Sequence, residues 1–146
     1  SQQLIEKKNK SCVTIGTLGV GGVLSLKTDN TTPDQAFILR VLQMAKSKGA
    51  DYAFLEVSSH SLVQRRVKGI AFKVFCFTNL SQDHLDYHKD METYFKAKLS
   101  IIDTLSIDTK IILTIYLLCS EQTCLPQHLS QKVFIFLPRT KSPKCI

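Results

Sequence analysis

Tyr52-Ala53-Phe54-Leu55-Glu56-Val57-Ser58-Ser59-His60 is an apolar run that ends in a polar turn. Residues 52 to 57 are apolar at nearly every position, which predicts a strand buried in a parallel sheet. In open α/β sheets, ligands bind beyond the carboxyl ends of the strands. The stretch therefore predicts both a sheet and a polar site at its edge.

Helical and strand patterns alternate on either side of this stretch. Upstream, Thr31-Thr32-Pro33-Asp34 predicts a helix start with hydroxyl N-cap candidates, and Gly49 predicts the end of that helix. The remaining predicted elements are a short helix over 59–67, a strand over 71–78, a helix over 91–102, and further strands over 111–118 and 132–137. The predicted fold class is α/β, with a mostly parallel sheet flanked by helices.

A glycine-rich segment precedes the first helix. Two short strands, Cys12–Gly16 and Val23–Leu26, are predicted to form a hairpin around Gly19-Val20-Gly21-Gly22. The spacing from Gly16 to Gly21 resembles that of the phosphate-binding loop G-x-x-x-x-G-K-[ST]. Gly22 and Val23 stand where that loop needs its lysine and its hydroxyl, so a hairpin is the better interpretation.

Composition and charge limit the function classes. The 146 residues are 44% hydrophobic, which is enough for the core of one domain. The formal net charge of +7 favours an anionic partner. The basic residues are spread thinly, without interleaved aromatics, so we do not expect nucleic acid to be the partner. The sequence has no signal peptide pattern and no apolar run long enough to span a bilayer, which predicts a cytoplasmic protein.

A second polar segment follows the strand predicted over 71–78. Residues 79–88 contain His84 and His88, and Lys98 lies ten residues beyond them. Glu56 and a neutral imidazole at one sheet edge suit a magnesium ion that accompanies nucleotide phosphates. Two alternatives stay open: a helix face with two solvated imidazoles, and a metal-dependent hydrolase. The latter would use Asp83, His84, Asp86 and His88.

Four motifs together resemble the central domain of the Mur ligases, most closely the MurE type, which extends UDP-N-acetylmuramoyl-dipeptide. They are Thr31-Thr32-Pro33-Asp34, the segment from Leu55 to Val67, the segment from Phe77 to His88, and Met91-Glu92 with Tyr94-Phe95-Lys96-Ala97-Lys98. The resemblance runs from about Ile15 to about Ile102. It implies a fold like that of the P-loop NTPases. We expect residues 1–103 to be a partial central domain without the phosphate-binding loop. Residues 104–146 are then a divergent tail that forms extra strands or is loosely ordered.

The resemblance implies roles for individual residues. Five positions match those that hold UDP-N-acetylmuramoyl-dipeptide: Thr31, Thr32, Ser58, Gln64 and Arg66. Glu56 and His84 match magnesium ligands. Lys98 matches a lysine that is carbamylated in the family, which turns a cation into a carboxylate that helps to hold a second magnesium ion.

The implied reaction is the addition of the third amino acid to the peptidoglycan stem peptide. ATP phosphorylates the terminal carboxylate of the dipeptide, and the amine of the amino acid attacks the resulting acyl phosphate, with Mg²⁺ offsetting the negative charge. The sequence lacks the ATP-binding loop and the family's C-terminal domain. We therefore expect a ligase fragment, truncated at both ends and inactive alone. The alternative is a vestigial or non-catalytic binding fragment without ATP turnover.

Overall fold

The computed structural model describes residues 10–77, 85–113 and 131–136. Within these ranges, the strands are β1 (Cys12–Gly16), β2 (Gly19–Gly22), β3 (Tyr52–Val57), β4 (Val74–Phe77), β5 (Lys110–Leu113) and β6 (Gln131–Phe136). The helices are α1 (Gln35–Ser47), α2 (Ser59–Val63), α3 (Leu85–His88) and α4 (Met91–Leu99), followed by a 3-10 turn at Ile102–Thr104. None of these helices is both long and apolar enough to cross a membrane.

The strands form one sheet in the order β2-β1-β3-β6-β4-β5. β1 is parallel to β3, and β4 is parallel to β5. Because β6 is antiparallel to both β3 and β4, four strands run in one direction: β1, β3, β4 and β5. Their carboxyl ends therefore lie at the same edge of the sheet, which agrees with the predicted α/β architecture. The strand β6 separates β3 from β4.

The core lies between the sheet and α1. On β3, Ala53, Leu55 and Val57 are buried, whereas the alternate residues Phe54 and Glu56 are only half-buried. The buried face packs with Ile38, Val41 and Ala45 of α1 and with Val13 and Ile15 of β1. The apolar run suggested burial on both faces, but one face of β3 is partly open. Glu56 projects from that open face.

The start of α1 differs in detail from the prediction. Asp34 is the N-cap, because its Oδ1 accepts a hydrogen bond of 2.9 Å from the Phe37 N–H. Thr31 and Thr32 precede the cap, and the Thr32 hydroxyl is used in tertiary contacts instead. The predicted end is confirmed: Lys48 is the C-cap, and Gly49 follows with a positive φ of 76°.

The predicted turn of the hairpin is wrong, because the glycine-rich segment is itself the second strand. Gly16 pairs with Gly19, so the turn falls at Thr17 and Leu18. Glycine is required in β2: a Cβ on Gly22 would lie 2.1 Å from the Cys12 carbonyl oxygen, and its φ is +88°. The predicted strand Val23–Leu26 is absent, although Leu26 makes a single bridge to Val20.

The later elements confirm most predictions but are shorter. The helix predicted over 59–67 ends at Val63, shortly before Arg65, whose φ of 56° is left-handed. The helix predicted over 91–102 ends at Leu99. The strands predicted over 111–118 and 132–137 correspond to β5 and β6, which pair with the sheet; residues 114–118 and 137 of these predictions lie outside the described residues. The domain boundary at residue 103 stays a prediction.

Candidate functional site

The carboxylate of Glu56 is held by the turn between β1 and β2. Its Oε2 accepts two hydrogen bonds from Thr17, one of 2.8 Å from the backbone N–H and one of 2.9 Å from the hydroxyl. The Thr17 hydroxyl also lies 3.1 Å from the Thr31 hydroxyl, which links the 31–34 segment to the carboxylate. Since the Thr17 proton points to Glu56, Thr31 is the donor in that contact.

No sequence motif indicates a role for Thr17. It follows β1, whose carboxyl end lies at the same sheet edge as that of β3. Its position directly after a strand could have indicated a site residue, but the glycine-rich segment around Thr17 indicates only a turn.

Thr32 ties the end of β3 to the segment before α1. Its side chain is 1% exposed. Its hydroxyl donates to the Glu56 carbonyl oxygen at 2.8 Å and accepts from the Ser58 N–H at 3.0 Å. Ser58 in turn caps α2, because its Oγ accepts a hydrogen bond of 3.2 Å from the Ser61 N–H. The buried hydroxyl therefore fixes the backbone on both sides of Val57.

Arg66 is anchored to the same segment. One Nη1–H donates to the Thr32 carbonyl oxygen at 2.6 Å, and Nε–H donates to Gln64 Oε1 at 2.8 Å. A guanidinium carries five N–H donors. The two bonds leave three N–H groups that no described residue accepts, and the half-buried Arg66 side chain presents them at the site.

Six of the predicted site residues thus belong to one hydrogen-bonded network around Thr32, which we call the Thr32 network. Its members are Thr31, Thr32, Glu56, Ser58, Gln64 and Arg66, joined with Thr17. The network contains one cation, Arg66, and one carboxylate, Glu56. It offers a bidentate donor for an anion and a carboxylate for a cation, within one sheet edge.

Lys98 lies in a second, buried cluster. It is 4% exposed, and its Nζ lies 4.7 Å from the centroid of the Tyr94 ring and 5.5 Å from that of Phe77, at the end of β4. Ring faces stabilise an ammonium group by cation–π attraction. No hydrogen bond between described residues joins Lys98 to Glu56, so their predicted joint role in metal binding stays a prediction.

His88 belongs to the cluster of Lys98. It is 2% exposed, and its Nε2 lies 2.8 Å from Ser59 Oγ, which is equally buried. The alternative of a solvated helix face is therefore wrong for His88. His84 lies outside the described residues, and so does Asp83 of the alternative hydrolase site.

The described residues alone do not complete a metal site. Among them, no three histidine, cysteine, aspartate or glutamate side chains come together in a metal-binding arrangement. Mg²⁺, however, commonly binds one or two carboxylates and keeps its remaining ligands as water or phosphate. Glu56 fits this chemistry, because its hydrogen bonds from described residues all reach Oε2 and leave Oε1 for a cation. These 146 residues contain no G-x-x-x-x-G-K-[ST] loop.

Comparison with known families gives an independent result. Residues 2–123 match the family described as the Mur ligase middle domain. A relative from Leptospira borgpetersenii serovar Hardjo-bovis is 43% identical over 105 residues, covering 71% of this chain and 21% of the relative. One from Coxiella burnetii is 41% identical over 111 residues, covering 75% of this chain and 23% of the relative. Both are named UDP-N-acetylmuramoyl-L-alanyl-D-glutamate–2,6-diaminopimelate ligase.

A solved structure of a ligase of the same name has the same fold. It aligns with a TM-score of 0.65 and 29% identity, covering 77% of this chain and 28% of that chain. The resemblance to the Mur ligases and the fold class are therefore confirmed. The chain spans about a fifth to a quarter of the length of the two relatives.

Proposed function

Because the chain belongs to the Mur ligase family through its middle domain, we propose that it is part of an ATP-dependent ligase of peptidoglycan biosynthesis. This ligase adds the third amino acid to UDP-N-acetylmuramoyl-dipeptide. The names of the relatives make 2,6-diaminopimelate the amino acid that we favour. The observation that carries the proposal is the Thr32 network, in which buried Thr32 accepts a hydrogen bond from Arg66 at its carbonyl oxygen and donates one from its hydroxyl to the Glu56 carbonyl oxygen.

We assign Arg66 to an anionic group of the nucleotide-linked dipeptide. The guanidinium is held rigidly by its bonds to Thr32 and Gln64, so little freedom is lost when it grips a carboxylate or phosphate. Ser58 and Thr31 are further contacts in this proposal, since both are half-buried at the same edge. The Thr32 hydroxyl is already bonded on both sides and buried, so Thr32 holds the substrate indirectly, by fixing Arg66 and Ser58.

The same proposal assigns one Mg²⁺ to Glu56 and His84, with carbamylated Lys98 helping to hold a second Mg²⁺. Held by these residues, Mg²⁺ would supply positive charge to offset the negative charge of the ATP phosphates and the dipeptide carboxylate. Thr17 fixes one oxygen of Glu56 before the ion arrives, which lowers the cost of ordering that side chain. Carbamylation would join the neutral amine of the buried Lys98 to CO₂ with loss of a proton, and a bound metal ion would stabilise the carbamate anion so formed.

A second candidate function is substrate binding without ATP turnover. It is favoured by one observation: these 146 residues contain the Thr32 network but no phosphate-binding loop. Both candidates require the dipeptide nucleotide to bind, and they differ only in ATP chemistry. A cytoplasmic location stays a prediction under either candidate.

Calorimetric titration of UDP-N-acetylmuramoyl-L-alanyl-D-glutamate into the 146-residue polypeptide tests the proposal. We expect Arg66→Ala to weaken binding by about 1–3 kcal/mol, the range for a lost charge-assisted contact. Arg65→Ala is the matched control, because the neighbouring Arg65 has the same charge but is exposed, and it should leave affinity nearly unchanged. Equal affinity of the wild type and Arg66→Ala would refute the role of Arg66. A folded wild type that does not bind would refute the proposed function.

A further inference from the structure

A buried hydrogen bond joins α2, which Ser58 caps, to α3, which precedes the helix that carries Lys98. His88 is the last residue of α3, and Ser59 is the first residue of α2. Their side chains meet at 2.8 Å, and each is 2% exposed. A buried polar pair of this kind is costly to break, because each group loses its partner without gaining water.

Each end of this bond leads to a residue of the proposed function. Ser59 directly follows Ser58, whose N–H donates to the Thr32 hydroxyl at 3.0 Å. On the other side, the His88 ring lies 5.1 Å from the ring of Tyr94, and that ring lies 4.7 Å from Lys98 Nζ. The contacts therefore run without interruption from the Thr32 network to Lys98.

We infer that His88 is a positioning residue: its bond to Ser59 sets the place of Lys98 relative to the Thr32 network. His88 reaches Ser59 and Tyr94, and it acts through them rather than on the substrate. That the place of Lys98 matters for catalysis rests on the proposed function. The His88–Ser59 contact itself does not depend on that function. The inference explains why a buried position in the motif from Phe77 to His88 holds a polar ring: an apolar side chain would fill the space without fixing the register of the two helices.

The aromatic neighbours of His88 favour one placement of its ring. Tyr87 lies edge-on to it at 4.9 Å between centroids, and His60 lies 5.5 Å away. Together with Tyr94, these rings surround the imidazole and restrict its rotation. Packing and the hydrogen bond therefore act together, and removing only the hydrogen bond isolates the positioning effect.

Three variants separate the hydrogen bond from the packing. His88→Phe keeps a ring but removes the bond, and Ser59→Ala removes it from the other side. His88→Gln restores a polar group near the position of Nε2, so it should rescue the effect. The matched control is Thr109→Val, which removes another side-chain bond of long sequence separation, from Thr109 Oγ1 to the Phe72 carbonyl oxygen at 2.9 Å.

The measurement is the rate at which Lys98 is acylated by a water-soluble acetylating reagent, read by mass spectrometry of the folded 146-residue polypeptide. The exposed Lys46 serves as the internal reference. In the wild type, Lys98 should react slowly because it is buried. We expect His88→Phe and Ser59→Ala to raise its relative rate at least about fivefold, through local opening. His88→Gln and Thr109→Val should stay close to the wild type.

The possible results decide the inference. A selective rise in His88→Phe or Ser59→Ala, with rescue by His88→Gln, supports it. No rise, or an equal rise in Thr109→Val, overturns it and leaves the bond as general stabilisation. If one variant does not fold, the other gives the same readout. Failure of the proposed function shows separately, as absence of dipeptide binding in the wild type, because the labelling experiment contains no substrate.

Discussion

An oxygen of Glu56 occupies the space that a side chain on Gly16 would need. A Cβ added to Gly16 would lie 2.5 Å from Glu56 Oε2 and 2.6 Å from the carboxyl carbon. The two residues are brought together by parallel strands, in which Ile15 pairs with Leu55 one position earlier. The missing side chain at Gly16 lets the carboxylate approach the Thr17 N–H at 2.8 Å.

Gly16→Ala should therefore displace the Glu56 side chain. We expect the free energy of unfolding, measured in urea, to fall by about 1–2 kcal/mol as the hydrogen bonds from Thr17 are lost. In a Glu56→Ala background, Gly16→Ala should lower the free energy of unfolding by clearly less, because the Glu56 carboxylate that it would clash with is absent. An equal cost in both backgrounds would show that the contact with Glu56 is not the cause.

Thr32→Val tests the centre of the Thr32 network. The variant keeps the shape but removes the hydroxyl that bonds to Glu56 and Ser58. Since the side chain is buried, we expect the free energy of unfolding to fall by about 2–3 kcal/mol, because two backbone groups lose their partner. Thr32→Ser retains the hydroxyl and should lose only about 1 kcal/mol for the methyl group.

The control for that experiment is Thr31→Val. Thr31 lies in the same segment but is only half-buried, and its hydroxyl bonds to that of Thr17. Removing the Thr31 hydroxyl should lower the free energy of unfolding by less than removing the Thr32 hydroxyl does, in the same denaturation experiment. If Thr32→Val and Thr32→Ser are equally stable, the hydroxyl does not hold the network together.

Asp90 makes stability depend on pH at the start of α4. The Thr93 N–H, which donates to Asp90 Oδ1 at 2.7 Å, holds the pKa of this carboxyl below its ordinary value. The folded state therefore binds the proton less readily than the unfolded chain. The stabilisation is fully present above the unfolded pKa and is lost as pH falls through the folded pKa.

The variant Asp90→Ala should accordingly have a lower Tm than the wild type at pH 7, and the difference should shrink as the pH is lowered below about 4. Asp90→Asn is the control, because asparagine also caps helices but does not titrate. A Tm difference between wild type and Asp90→Ala that is constant over this pH range would exclude the capping charge as its source.

Local patterns in the sequence were enough for β3 and for the end of α1. The apolar run from Tyr52 to Val57 is bounded by Asp51 and Ser58, so its limits could be predicted, and Gly49 marked the helix end. The cap of α1 could not be predicted in the same way. Several polar residues stand in succession before that helix, and tertiary contacts assign the buried hydroxyl of Thr32 to β3.

The predictions that were wrong or incomplete concern contacts between residues that are distant in sequence. Three of the four residues of β2 are glycines, which are poor strand formers, yet they pair with β1, and Gly22 is needed because the Cys12 carbonyl lies so close. The insertion of β6 between β3 and β4 depends on a segment more than fifty residues further along the chain. For the candidate site, residue types and the family resemblance predicted the members of the network. Its geometry, including Thr17 and the His88–Ser59 bond, required the structure.

The 146-residue polypeptide should bind the dipeptide nucleotide but should not hydrolyse ATP. Phosphoryl transfer in this class of fold needs a lysine-bearing loop at the β and γ phosphates, and the sequence contains no such loop. Glu56 and a magnesium ion alone would not position the γ-phosphate. In a phosphate-release assay with Mg²⁺ and ATP, we expect the wild type and Glu56→Ala to give the same background rate. Magnesium-dependent release that Glu56→Ala abolishes would contradict this expectation. It would show that these residues support ATP chemistry by a route that does not use the loop.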